Sequence, residues 1–172
     1  MRKRRKWGLY GAFLALLLLF GFYQFFAYVL KDTWSERKEA EAIATSRAAL
    51  TEIDRAQKSI WDENAIYWVL TGKNKAGTDM MVWVRFTTDG KPVQGDSAVH
   101  AEELSQGTSE KRMRQIIASS LPGIQIKRLL PGAYNGEYAW QLFYKEGDRY
   151  YYRFYRFSDG EQIGDGYSLP NR

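Results

Sequence analysis

The sequence predicts an α+β protein: an N-terminal transmembrane helix followed by two tandem αβββ units, each a small antiparallel sheet packed on one helix. Three observations predict it. A basic cluster leads into a long uncharged run at the start of the chain. The remainder alternates helix-type segments with short aromatic and β-branched runs bounded by turn residues. The same turn motifs then recur at an offset of 70 residues.

The cluster is Arg2-Lys3-Arg4-Arg5-Lys6, and no charge follows from Trp7 to Leu30, where Gln24 is the one strongly polar side chain. A helix of that length rises roughly 35 Å, enough to cross a hydrocarbon core of about 30 Å. Basic residues on one side, against the mixed Lys31-Asp32 on the other, predict a cytoplasmic tail at 1–6, an anchor at 7–30 and extracellular domains beyond. A cleaved signal peptide has a shorter apolar region and a small-residue cleavage site. Here the run ends on the bulky Phe25-Phe26-Ala27-Tyr28-Val29-Leu30, which favours an uncleaved single-pass anchor in the cell membrane. The bilayer is therefore the first expected partner.

The net charge of +5 comes from those five basic residues. From residue 31 onward 20 Lys and Arg balance 20 Asp and Glu. A neutral exported part lacks the basic surface that nucleic-acid binding needs, so no nucleic-acid partner is expected. The absence of cysteine rules out disulfides and thiol chemistry, and the folded part must rely on a packed core.

The 70-residue offset aligns Lys75-Ala76-Gly77 with Lys145-Glu146-Gly147 and Thr88-Asp89-Gly90 with Ser158-Asp159-Gly160. It divides the exported part into domains at 35–104 and 105–172. In the first, Thr33 and Glu36 have capping-box spacing before a helix to Leu50 with an apolar stripe of Ala40, Ile43 and Ala44. In the second, Thr108 or Ser109 caps Glu110 to Ser120, and Leu121-Pro122-Gly123 ends it. Strands are expected at Arg55–Trp61, Ala65–Thr71 and Met80–Phe86, and at Ile124–Leu130, Tyr138–Lys145 and Tyr150–Phe157, with a short closing strand near Val99 and Leu169. Five residues, Lys31 to Ser35, form the linker to the anchor.

Alternation assigns the faces. Trp68, Leu70, Val82 and Val84 should face the first helix, and Tyr138, Trp140, Leu142, Tyr152 and Phe154 the second. The outer faces then carry Tyr67, Val69, Trp83 and Arg85, and Gln141, Phe143, Tyr151, Arg153 and Tyr155. These outer faces are unusually apolar and aromatic for solvated sheets.

The stretch Gly77-Thr78-Asp79-Met80-Met81-Val82-Trp83, together with Trp140-Gln141-Leu142-Phe143-Tyr144 leading to Arg149-Tyr150-Tyr151-Tyr152-Arg153-Phe154, resembles the TseB-like (YpmB-like) membrane proteins. In these a domain of formerly unknown function precedes a PepSY domain, and Ser158-Asp159-Gly160 fits the closing turn of that domain. The resemblance implies cystatin-like or PepSY-like units and a regulator of cell-wall elongation in a Gram-positive bacterium. It also implies a membrane-anchored penicillin-binding transpeptidase as partner. PepSY domains occur in protease propeptides too, so inhibition of an exported protease, or an enzyme acting on wall polymers, is the alternative.

The residues offer little chemistry. One histidine, His100, cannot build a His-cluster metal site. The pairs Asp62-Glu63 and Glu102-Glu103 are adjacent, so their side chains diverge on extended chain and make no acid–base pair. Asp89 and Asp159 sit in turns, where Asp serves the backbone. Gly72-Lys73-Asn74-Lys75-Ala76-Gly77 lacks the ending of a phosphate loop. No catalytic residue, metal or cofactor is expected, and the protein reads as a non-enzyme. Tyr, Trp and Arg are enriched at binding hot spots, which makes Phe143, Tyr151, Arg153 and Tyr155 the expected partner-binding residues.

Overall fold

The computed structural model describes the backbone of residues 2–170 and the side chains of 13–26 and 32–170. The fold is mixed α+β with two antiparallel four-stranded sheets. The chain divides into two compact units, Met1–Glu36 and Arg37–Arg172.

Helix α1 runs Arg2–Arg47 without interruption. The expected linker Lys31–Ser35 is therefore helical, and Thr33 lies inside the helix: no glycine or proline from Phe22 to Arg47 breaks the ladder. Among the described residues no helix is long and apolar enough to cross a membrane. The expected span 7–30 lies partly outside the described side chains. Those that are described, from Phe13 to Phe26, are exposed on every side of the helix.

In the larger unit, β1 (Leu50–Ile60), β2 (Ile66–Asn74), β3 (Asp79–Arg85) and β4 (Val99–Glu103) form the first sheet in that order. The end of α1 lies on one face. Ala40 and Ala44 pack with Leu50, Trp68, Leu70, Val82, Val84 and Phe86, so the expected inner set holds. Small alanines let the helix approach the sheet closely.

The second half begins with α2 (Glu110–Ser120), whose cap Ser109 accepts a hydrogen bond from the Arg112 amide at 3.3 Å. Its apolar face buries Met113 and Ile117. Strands β5 (Gln125–Tyr134), β6 (Glu137–Glu146), β7 (Arg149–Arg156) and β8 (Gln162–Ser168) follow. The β5–β6 turn is Asn135-Gly136 with positive φ at both residues (50° and 80°), a strong hairpin signal that lengthens β5 beyond the expected Leu130. Each half therefore has four strands, with β4 and β8 in the places of the short closing strands.

Side-chain assignment in β7 needs correction. In the first sheet Leu70 pairs with Val82 across the longer turn that ends at the Lys73–Asp79 pair. The offset would place Trp140 opposite Tyr152. Glu146 and Arg149 instead flank a two-residue Gly147-Asp148 turn, and Trp140 pairs with Tyr155. The register moves by an odd number of residues, which sends every β7 side chain to the opposite face. Tyr151, Arg153 and Tyr155 share the face of Trp140, Leu142 and Tyr144, toward α2, while Tyr152 and Phe154 point outward.

The outer face of the first sheet is not solvated. Val69, Met81 and Trp83 lie in one core with Met113, Ile117, Leu129, Trp140, Leu142 and Phe157. Trp83 is fully buried and donates its indole N–H to the Gly132 carbonyl at 3.0 Å. Its ring packs on Tyr138 at 4.8 Å and edge-on against Phe157 at 4.9 Å. Glycine at 132 matters because a Cβ there would lie 2.1 Å from the Ser59 hydroxyl of β1. Trp140, also buried, donates to the Thr108 carbonyl at 2.7 Å.

Trp140→Ala is expected to cost about 3–5 kcal/mol in a denaturant titration, as for emptying a large aromatic site. Trp83→Phe keeps most of the ring but leaves the Gly132 carbonyl without its donor, and about 1–3 kcal/mol should be lost.

Burial raises the phenol pKa of Tyr67, Tyr138, Tyr144 and Tyr155, and the hydrogen bond with Tyr167 raises that of Tyr134. These groups hold their protons more tightly folded than unfolded. Above the ordinary phenol pKa of about 10 the unfolded chain binds fewer protons, so stability should fall as pH rises through that window and be intact below it. Melting temperature against pH checks this; a flat alkaline limb would contradict it.

Candidate protein-binding face

The corrected register divides the outer face of the second sheet into a covered half and an open half. Trp61, at the end of β1, covers the first. Its ring meets Phe154 at 4.6 Å and Tyr134 at 5.8 Å, both edge-on. Tyr134 stacks on Phe154 at 3.8 Å, and its hydroxyl bonds to that of Tyr167 at 2.8 Å.

The open half is a ladder of rings and cations. Phe143 pairs across the strands with Tyr152 and with Arg128, and Lys145 pairs with Tyr150, so all five side chains share one face. Phe143 stacks on Tyr152 at 4.7 Å and on Tyr150 at 5.5 Å. The Arg128 guanidinium lies 6.0 Å from the Phe143 ring, and the Lys145 ammonium 6.0 Å from that of Tyr150. Arg128 also donates to the Tyr152 hydroxyl at 3.4 Å. Between the two halves lies a hollow of about 410 Å³ lined by Ile60, Trp61, Arg128, Tyr152, Tyr167 and Leu169, among others. Ile60, Tyr167 and Leu169 are exposed.

Of the expected partner-binding residues, Phe143 alone lies on this face. Tyr151 stacks on Tyr144 at 5.3 Å on the other side. Arg153 reaches the same Tyr144 ring at 6.0 Å and donates to the Gln162 side chain at 3.0 Å. Tyr155 is core, 3% exposed. Sequence reasoning missed Tyr150, Tyr152 and Arg128. The Gly147-Asp148 turn length was the signal that could have found the two tyrosines, because it sets the parity of the strand.

A second cavity of about 390 Å³ lies between Val69, Met81, Pro131 and Trp140, with Arg55 paired to Glu110 at 3.2 Å along its lining. His100 sits in β4, stacks on Tyr138 at 4.0 Å and bonds to Glu102 at 2.5 Å. Asp62 accepts the Asn64 amide at 2.8 Å, and Asp159 accepts the Glu161 amide at 2.8 Å while pairing with Arg156. Among the described residues no group of three or more His, Asp or Glu is arranged to hold a metal ion.

These features define a two-sheet α+β protein with an aromatic face left open. Residues 39–85, the end of α1 with β1 to β3, match the family described as the cell wall elongation regulator TseB-like domain. The fold matches the YpmB protein from Bacillus subtilis with a TM-score of 0.61 at 20% identity, over 78% of this chain and 97% of that one. No curated protein sequence matches. The chain thus resembles the TseB-like domain over residues 39–85 and shares the fold of the YpmB protein. The matched family is described as a regulator domain.

Tyr155→Ser should destabilise the fold by about 3 kcal/mol or more, as a buried ring is lost. Tyr150→Ser, on the exposed ladder, should stay within about 0.5 kcal/mol. Thermal unfolding of the two variants decides between the two faces.

Proposed function

We propose that this protein is a membrane-anchored, extracellular protein-binding module that regulates cell-wall elongation by docking on a membrane-anchored penicillin-binding transpeptidase. The match of residues 39–85 to a cell-wall elongation regulator domain carries the reading. The basic cluster Arg2–Lys6 and the apolar side chains exposed all round the helix from Phe13 to Phe26 support the anchor at 7–30. The two repeats, 35–104 and 105–172, would act together outside the cell, the second a PepSY-like domain.

The geometry supports binding without chemistry. Stacked rings held in place by neighbouring cations lose little rotamer freedom when a partner covers them, and Tyr and Arg are hot-spot residues. Anchoring in the same membrane raises the effective concentration of a partner anchored there, so a modest interface suffices.

A C-terminally tagged chain, solubilised from membranes, should capture a penicillin-binding transpeptidase, and protease added to intact protoplasts should remove the tag. The double variant Phe143→Ser, Tyr150→Ser should lose that capture at unchanged protein level. Capture that survives moves the interface elsewhere; a tag protected in intact protoplasts refutes the topology.

A further inference from the structure

The open ladder shows which chemistry it can recognise. Phe143 is stacked against both Tyr150 and Tyr152, so ring faces are turned toward one another. Arg128 and Lys145 lie over the same rings. A ligand therefore meets ring edges, which are the positive part of an aromatic quadrupole, and not the π-faces that a flat sugar ring would stack on. The cations reinforce that sign. Arg128 is exposed, and its guanidinium donates to a neutral phenol, Tyr152. Among the described residues no carboxylate pairs with Arg128, whereas other arginines, such as Arg37, Arg55, Arg114 and Arg156, do have acid partners. A guanidinium carries five N–H donors in a fork suited to a carboxylate. Beside it the hollow exposes the apolar Ile60 and Leu169.

From this charge complementarity we propose that the hollow between Trp61 and Arg128 receives an acidic segment of the protein partner, with an aliphatic side chain in the hollow and a carboxylate on Arg128. The proposal rests on the open face being the partner-binding face. Lys145, paired at 3.8 Å with the fully exposed Asp148, offers a second contact further along the ladder.

The test uses the full chain in lipid nanodiscs and a fluorescent short peptide of alternating leucine and glutamate, followed by anisotropy. The peptide should bind, more weakly at high salt. Arg128→Glu should weaken it about tenfold or more, as expected for reversing one member of a close charge pair, and Arg128→Gln by less. Ile60→Ser should weaken it too. Circular dichroism establishes that these surface variants fold. Equal binding of a leucine–lysine peptide would overturn the proposal, as would binding indifferent to Arg128→Glu. So would Arg128-dependent binding of phosphatidylglycerol vesicles in place of the peptide, because the ligand would then be a lipid surface. The underlying reading fails separately. If Arg128-dependent peptide binding is found but transpeptidase capture survives both Arg128→Glu and the Phe143/Tyr150 change, the acidic-segment site stands and the transpeptidase assignment falls. If capture needs Phe143 and Tyr150 but tolerates Arg128→Glu, the face stands and the acidic segment is refuted.

Discussion

Burial of Trp83 is the constraint on which the larger unit depends. The first sheet is apolar on both faces, and a four-stranded sheet cannot leave Val69, Met81 and Trp83 in water without losing most of what holds it together. The end of α1 covers one face. The other needs a cover that also accepts an indole N–H, since an unbonded buried donor would cost about 1–3 kcal/mol. Strand β5 supplies the acceptor at the Gly132 carbonyl, 3.0 Å from the indole nitrogen. Glycine at 132 leaves room for the Ser59 and Gln141 side chains where β5 approaches β1.

That arrangement determines where a binding surface can be. Helix α2 and the inner face of the second sheet share one core with the outer face of the first, so their aromatic residues, Tyr155 and Trp140 included, are committed to packing. Among the described sheet faces the outer face of the second sheet is left, and Trp61 from β1 covers half of it. What stays open is the strip around Phe143, Tyr150 and Tyr152, with Arg128 and Lys145. Stacked rings braced by cations make this strip a rigid, amphipathic surface. The match to a cell-wall elongation regulator domain lies in α1 to β3, the part that builds the scaffold beneath this strip.

Much of this was legible in the residues. Helix α2 occupies the expected span from Glu110 to Ser120, because a serine cap, an apolar stripe and a following Leu-Pro-Gly are all local signals. The inner face of the first sheet was legible from alternation, and the resemblance to TseB-like proteins from the Gly77–Trp83 stretch. The α1 boundary was not. A cap-type spacing at Thr33 starts a helix only where the preceding chain is not already helical, and no glycine or proline from Phe22 to Arg47 interrupts the helix that arrives there. The site was half legible: aromatic residues on a sheet face were expected, but three of four were placed on the wrong side.

That error marks the division between local and non-local information. Composition, periodicity and turn motifs depend on neighbours in the chain, so strand identity, helix α2 and the basic and apolar N-terminal pattern could be read directly. Which face a β7 residue points to depends on its pairing with β6, and a two-residue turn in place of a longer one reverses it all along the strand. Likewise, no local pattern says that the apolar outer face of one sheet is the core of the next. Burial of Trp83 against Gly132 joins residues far apart in sequence, and only packing in three dimensions could turn a suspected exposed patch into interior.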